Sequence, residues 1–207
     1  MVQTIQASEL SLHEVEARFG LQEANEPSFF PEFWQNLPEL TEPEQRSLDE
    51  IKANFLYLKK YPMSEEAVKL VIVSPLLAMS GFYRPPFHLR TEAPIQIALE
   101  ADDAIVRGRI DVLVLQDQFW VMVVESKEAG FSVNAGIAQT IAYLAATPHP
   151  DRPAFGLITN GTEFLFAKLV KSTNQYGFAD LFTLQRRHND LYNVASILQQ
   201  LRQTIAR

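Results

Sequence analysis

The chain has 207 residues, of which 47% are hydrophobic and 21% are charged, a composition typical of one globular domain with a buried core. It has no cysteine and four widely spaced histidines, which excludes disulfides, thiolate metal sites and zinc motifs. The formal charge of −7 argues against strong non-specific binding to nucleic acid, which requires clustered Lys and Arg. No apolar run reaches the ~18 residues of a membrane span and no signal peptide is recognisable, so we expect a cytoplasmic protein without membrane contact.

The N-terminal part of the chain is predicted to be helical and rich in aromatic residues. Residues 8–19 form a helix whose start at Ser11–Glu14 fits a capping box. Residues 25–43 contain four prolines and four aromatic residues, so we expect an ordered arm that packs on the core, with partner binding as the alternative. Thr41 precedes a second helix near residues 44–60.

The remaining elements follow the order α-β-β-β-α-β, then a further strand and a closing helix. We predict helices over residues 65–80, 132–146 and 189–206, and strands over 86–99, 104–115, 119–127, 155–159 and 163–169. Asn160-Gly161, between the last two strands, is the preferred dipeptide of a type I′ hairpin. A helix that crosses over before strand 155–159 indicates a mixed central sheet flanked by helices.

The second and third strands are predicted to form a tight antiparallel hairpin. With its polar turn centred on Asp117, Asp111 faces Val123 and Arg109 faces Glu125. Side chains two positions apart on a strand share a face, and this register keeps the acids of both strands on one side of the sheet.

Asp111, Glu125 and Lys127 therefore converge on one face of the hairpin. Two carboxylates and the backbone carbonyl of Ser126 are suitable oxygen ligands for Mg²⁺, or for Mn²⁺. A lysine beside such an ion can orient or deprotonate a water molecule and offset charge on a phosphate. The pattern predicts a site for phosphodiester hydrolysis, with Asp111, Glu125 and Lys127 as catalytic residues and Arg109 in the local basic set that positions substrate.

These residues resemble the motifs of the PD-(D/E)XK nuclease superfamily, with Ile110-Asp111 in place of Pro-Asp and Glu125–Lys127 as the ExK. Gln139–Tyr143 is similar to the QxxxY pattern of its RecB-like branch. Glu65–Lys69, followed by Pro75-Leu76-Leu77 and Gly81-Phe82, is similar to the first helix of the N-terminal nuclease domain of type I restriction enzyme R subunits. The resemblance covers roughly residues 60–170.

The resemblance implies a restriction-endonuclease-like core, αβββαβ, over residues 61–207, with residues 1–60 as an N-terminal extension packed on it. It also implies a further metal ligand on the first core helix, for which Glu65 is the first choice and Glu66 the second. Gln139 and Tyr143, four residues apart on one helix face, become substrate-positioning residues.

The leading hypothesis is a Mg²⁺-dependent endodeoxyribonuclease related to the R-subunit nuclease but without its motor, because the sequence has no GxxxxGK[ST] phosphate loop. Such a protein acts on DNA alone, as a homo-oligomer, or with a separate motor or specificity subunit. The alternative is a catalytically silent nucleic-acid or protein interaction module of the same fold, which the net charge favours. An unrelated α/β enzyme is a third, weaker hypothesis, since no nucleophile elbow or dinucleotide-binding glycine pattern is present.

Overall fold

A computed structural model describes residues 3–99, 104–116 and 119–205. The helices are α1 (Leu12–Phe19), α2 (Pro31–Trp34), α3 (Glu42–Leu58), α4 (Glu65–Val68), α5 (Ser74–Met79), α6 (Ile137–Ala145) and α7 (Leu191–Ile205). The strands are β1 (Gln3–Gln6), β2 (Gln22–Glu23), β3 (Phe87–Leu99), β4 (Ala104–Gln116), β5 (Phe119–Ser126), β6 (Ala154–Thr159), β7 (Glu163–Val170), β8 (Gln175–Phe178) and β9 (Phe182–Thr183).

Within the described residues, all strands belong to one mixed sheet in which the main path runs β1-β4-β5-β6-β7-β8-β2. The β5 and β6 strands are parallel because α6 crosses over between them, while β3-β4, β4-β5, β6-β7 and β7-β8 are antiparallel. The short N-terminal strands β1 and β2, which the sequence analysis did not predict, add parallel to β4 and β8. Residues assigned to an N-terminal extension therefore contribute strands to the sheet itself.

One edge of strand β4 is shared by two partner strands, and we call the place where they separate, residues 108–111, the fork. Strand β3 pairs with residues 104–110 and 112–116 of β4, on both sides of Asp111, whereas the opposite edge is shared by two different strands. Residues 104–107 pair with β1 and residues 112–116 pair with β5. Residues 108–111 lie between these two paired segments, and this gap positions the candidate site.

Helices cover both faces of the sheet, which confirms the predicted mixed α/β architecture. Alternating side chains on the central strands supply the two cores: Val112 and Val114 face one, Leu113 and Leu115 the other. The first core also contains buried residues of α2, α3, α4, α5 and α7, and the second those of α1 and α6. The aromatic arm belongs to the first core, where Phe33 is completely buried.

The predicted register of the β4-β5 hairpin is wrong by two residues. Val123 pairs with Leu113 and not with Asp111, and Glu125 follows the pairing of Val124 with Val112, so Arg109 does not face it. Gln116 pairs with Phe119, which displaces the register by one residue, and a β-bulge between Val114 and Leu115 displaces it by another. Each displacement by one residue turns the side chains of β5 to the other face of the sheet, so two displacements return them to the predicted face. Asp111 and Glu125 therefore still lie on one side of the sheet. The predicted turn residue Asp117 lies outside the described residues.

The β6-β7 connection is not the predicted type I′ turn. That turn needs a positive φ at both central residues, and of Asn160 and Gly161 only Gly161 has one, at 79°. Thr159 pairs with Phe164, which leaves a four-residue loop. The side-chain oxygen of Asn160 accepts hydrogen bonds from the amides of Thr162 and Glu163, so this asparagine folds the loop through its side chain.

Three predicted helices differ from the observed ones near their ends or centre. The first begins at Leu12, after a 3₁₀ turn, and α6 is preceded by a 3₁₀ turn over Val133–Gly136. The predicted helix 65–80 is interrupted by a π turn, Lys69–Val73, between α4 and α5. None of the described helices has the length and hydrophobicity needed to cross a membrane.

Replacing Thr41 with Ala should lower the free energy of unfolding by about 1 kcal/mol, because Thr41 caps α3 reciprocally with Glu44. Urea denaturation measures this difference. Ser47→Ala, in the same helix, should have almost no effect because the Ser47 hydroxyl only bonds the Pro43 carbonyl one turn earlier. Equal losses in the two variants would contradict the capping role.

Candidate active site

The fork in β4 leaves the backbone of Arg109 without a strand partner on that edge. The hydroxyl of Tyr143, on α6, replaces the missing strand: it accepts a hydrogen bond from the Arg109 amide and donates one to the Arg109 carbonyl, both at 3.1 Å. Gly108 makes this approach feasible, because a Cβ at that position would lie 2.5 Å from the Tyr143 hydroxyl. The helix and the fork are thereby held together.

Asp111 is buried at the end of the fork and connects β4 to β5. Its Oδ2 accepts hydrogen bonds from the Ser126 amide at 2.6 Å and from the Ser126 hydroxyl at 3.0 Å. Its other oxygen, Oδ1, lies 3.8 Å from the ammonium of Lys69. The carboxylate is thus fixed by one strand and approached by a cation from the helical layer.

Glu125 lies beside Asp111 and is only 2% exposed. The Lys127 ammonium donates to Glu125 Oε1 at 2.7 Å and to the side-chain oxygen of Gln139 at 3.2 Å. The amide nitrogen of Gln139 in turn donates to the Tyr143 hydroxyl at 2.9 Å. Glu125 Oε2, by contrast, is buried without a hydrogen-bond partner among the described residues.

The electrostatics of the site follow from burying several acids together. Burial, reinforced by the negative charge of Asp111, raises the pKa of Glu125 to about 8, against the opposing effect of Lys127. Burial and the neighbouring Asp111 also raise the pKa of Glu65. Burial and the charge of Glu125 raise the pKa of Tyr143 to about 12.

Of the two candidate acids on α4, Glu65 is the one that reaches the site. Its carboxyl is close enough to Asp111 for the two charges to repel each other, whereas the side chain of Glu66 is 77% exposed and lies at the outer edge, 4.0 Å from Lys69. Lys69 also contacts Glu65 at 3.4 Å and Glu92, on β3, at 2.8 Å. Burial lowers the pKa of Lys69, but the hydrogen bond to Glu92 and the charge of Asp111 outweigh it, so its pKa is raised.

Sequence reasoning gave no role to Lys69, Glu92 or Gly108. Lys69 was detectable from its i,i+4 spacing to Glu65, and Gly108 from the rarity of glycine inside a strand. Glu92 carried no comparable signal, because its role depends on lying opposite Asp111 in the β3-β4 register. Arg109, expected to position substrate, is mostly exposed with its guanidinium 3.7 Å from Glu92.

The acids of the site fit a divalent cation in their chemistry but are not arranged as a complete set of ligands. Within the described ranges, no group of three or more His, Cys, Asp and Glu side chains is arranged to hold a metal ion. Asp111 and Glu125 nevertheless fit the chemistry of Mg²⁺ or Mn²⁺, since both supply carboxylate oxygens and Glu125 Oε2 is a buried acceptor without a donor. With all side chains ionised, the four acids Glu65, Glu92, Asp111 and Glu125 exceed the three bases Lys69, Arg109 and Lys127 by one, and in the absence of a metal a proton on Glu125 balances this excess.

Comparison with known proteins gives little further information. No family model matches the sequence, and no curated protein matches it. A solved structure, "The fragment structure of a putative HsdR subunit of a type I restriction enzyme from Vibrio vulnificus YJ016", is similar with a TM-score of 0.42 and 21% identity. The match covers 66% of this chain but only 26% of the Vibrio chain, and a similarity this low establishes neither a shared fold nor a shared function.

In metal-free buffer, the free energy of unfolding should fall as the pH rises from about 5 to 8. Folded Glu125, with a pKa of about 8, holds a proton that the unfolded chain releases near its ordinary value of 4.5, so its contribution is complete below that value and is lost toward pH 8. Glu125→Gln should flatten this decline, by at most about 1.4 kcal/mol per pH unit. Urea denaturation in EDTA measures both slopes.

Glu50→Gln is the matched control for this measurement, because Glu50 is an exposed acid on α3. It should show the wild-type slope. A wild-type slope in Glu125→Gln as well would mean that the buried carboxyl does not hold its proton in the folded protein.

Proposed function

We propose that this protein is a metal-dependent nuclease that hydrolyses DNA phosphodiester bonds on a restriction-endonuclease-like core. One observation carries the proposal: Asp111 and Glu125 are buried side by side, with the Lys127 ammonium 2.7 Å from Glu125 and a Glu125 oxygen left without a donor. Buried like charges are costly unless a cation or a proton compensates them, and they are typical of sites that use them. In the metal-free protein a proton on Glu125 supplies this compensation, and a divalent ion would replace that proton.

Asp111 and Glu125 would hold the ion, with the Ser126 carbonyl and Glu65 as further ligands. When bound, it would supply a Lewis acid and a water molecule of lowered pKa. Lys127 has three N–H groups, of which two are occupied by Glu125 and Gln139, and the third can hydrogen-bond a non-bridging phosphate oxygen. In this role the ammonium offsets the negative charge that grows on the phosphate as water attacks.

Gln139 and Tyr143 act in this proposal through other residues. Gln139 holds the Lys127 ammonium, and Tyr143 holds both Gln139 and the Arg109 backbone. The hydroxyl donor of Tyr143 and its two acceptor positions are already occupied, so contact with substrate would break an existing hydrogen bond. Both are therefore positioning residues, which hold Lys127 and the Arg109 backbone in the geometry that catalysis requires.

A silent interaction module of the same fold is the second candidate, and one observation favours it. Asp111 is satisfied by Ser126 and approached by Lys69, while Glu125 is paired with Lys127, so ion pairs already compensate most of the acidic charge. A separate motor or specificity subunit, or a second copy of this chain, would then give the module its function. Assays of DNA cleavage separate the two candidates.

Wild-type protein should nick supercoiled plasmid DNA in Mg²⁺ or Mn²⁺ but not in EDTA. Asp111→Asn should reduce the rate by about 100-fold or more, because the amide keeps the shape and the acceptor for Ser126 but removes the charge. Asp151→Asn, at an exposed acid in a loop, should retain the wild-type rate. No nicking in either metal would favour the interaction module, and equal rates in the two variants would locate the activity elsewhere.

Lys127→Met should lose about 100-fold in cleavage rate while binding of Mn²⁺, measured by calorimetry, persists. The methionine keeps most of the aliphatic stem but cannot offset charge on the phosphate. Lys127→Arg should restore little activity, because a planar guanidinium cannot replace a compact ammonium between Glu125 and Gln139. Lys60→Met, at an exposed lysine, is the control, and a fully active Lys127→Met protein would exclude the catalytic role.

A further inference from the structure

A cavity of about 400 Å³ opens beside Asp111, between β3 and the helical segment from α4 to α5. We call it the helix-strand cavity. Its walls are mainly apolar and come from Leu70, Val73, Leu77 and Leu89, while Tyr83 stands at the mouth, 49% exposed. Its volume lies within the range of about 300–1,000 Å³ that is usual for small-ligand sites.

Two irregularities of the backbone lie in opposite walls of this cavity. The π turn Lys69–Val73 forms one wall, and π turns, which are rare, frequently occur at functional sites. Glu92, in the wall formed by β3, has a left-handed backbone with φ of 51°, which costs a residue with a side chain of order 1 kcal/mol or more. Both irregularities bring side chains to the cavity, since Lys69 and Glu92 meet there at 2.8 Å.

The lining disfavours an anionic ligand. As the structure describes it, the lining has one cation, Lys69, and that ammonium is already engaged by Glu92, Glu65 and Asp111. A phosphate or another anion would therefore find no free counter-charge. The remaining polar groups are three carboxylates, from Glu66, Glu92 and Asp111, and three hydroxyls, from Ser74, Tyr83 and Thr91, which suit a ligand with N–H donors along its edge.

We propose that the helix-strand cavity binds an unpaired nucleobase of the DNA strand whose phosphate lies at Asp111 and Glu125. A base has two apolar faces, an edge of N–H donors and no charge, and it can stack on Tyr83 at the mouth. The inference rests on the proposed function and adds a substrate class to it. A base within a duplex would first have to leave its stack, at a cost of a few kcal/mol, so the site should prefer single-stranded DNA or a frayed end.

Binding is tested without cleavage, by fluorescence anisotropy in EDTA, with a labelled single-stranded oligodeoxynucleotide that contains all four bases and with the blunt duplex of the same sequence. Wild-type protein should bind the single strand at least about tenfold more tightly than the duplex. Tyr83→Ala should weaken binding of the single strand by about 5- to 100-fold, the range expected for loss of one stacking contact. Tyr83→Phe should bind like wild type, because the ring is kept and only the hydrogen bond to Ser74 is lost.

Tyr57→Ala is the matched control, since Tyr57 is a similarly exposed tyrosine, on α3, that does not line the cavity. Thr91→Trp is a second, independent variant that fills the mouth from β3 and should also weaken binding of the single strand. Thermal melting establishes that each variant is folded.

Tyr83→Ala protein that binds the single strand as tightly as wild type, no preference over the duplex, or no binding of DNA would each overturn the inference. Failure of the proposed function has a different signature. Wild-type protein that binds single strands with the predicted loss in Tyr83→Ala, yet nicks no DNA in Mg²⁺ or Mn²⁺, would refute hydrolysis and leave the base-binding cavity in place.

Discussion

The structure of the site depends on the burial of two carboxylates, Asp111 and Glu125, where the sheet divides. Charges of equal sign in a region of low dielectric repel each other and lose hydration, and two neighbouring lysines reduce that cost. Lys127, directly after β5, compensates Glu125, and Lys69 approaches Asp111 from the helical layer. The compensation by the lysines is incomplete, because the pKa of Glu125 remains raised to about 8. At neutral pH and without a metal, a proton on Glu125 therefore neutralises the remaining charge.

The fork in β4 explains why this arrangement occurs where it does. A continuous ladder would satisfy the backbone with strand partners and leave no room for side chains between them. At residues 108–111 the edge is open, so the Tyr143 hydroxyl and the Asp111 carboxylate take over the hydrogen bonds of Arg109 and Ser126. The backbone of the sheet and the side chains of the site therefore belong to one hydrogen-bond network, in which disturbance of either part affects the other.

Irregular backbone is concentrated near the same point. The π turn Lys69–Val73, the left-handed Glu92 and the bulge between Val114 and Leu115 all lie in the elements that surround the site. Each departs from the most stable local geometry and persists because the surrounding packing determines it. The first two bring Lys69 and Glu92 to the helix-strand cavity beside Asp111, and the bulge sets the register of the β4-β5 hairpin.

The sequence by itself determined the local relations in this protein. Alternation predicted the strands, Ser11–Glu14 predicted the cap of α1, and spacings of two and four residues placed Glu125 beside Lys127 and Gln139 beside Tyr143. Such relations follow from backbone dihedral angles over a few residues. Only the tertiary structure decided the fork, the hairpin register and the meeting of Glu65, Lys69 and Glu92 at Asp111. Those contacts join segments far apart in the chain, and their register depends on packing energies that no local pattern encodes.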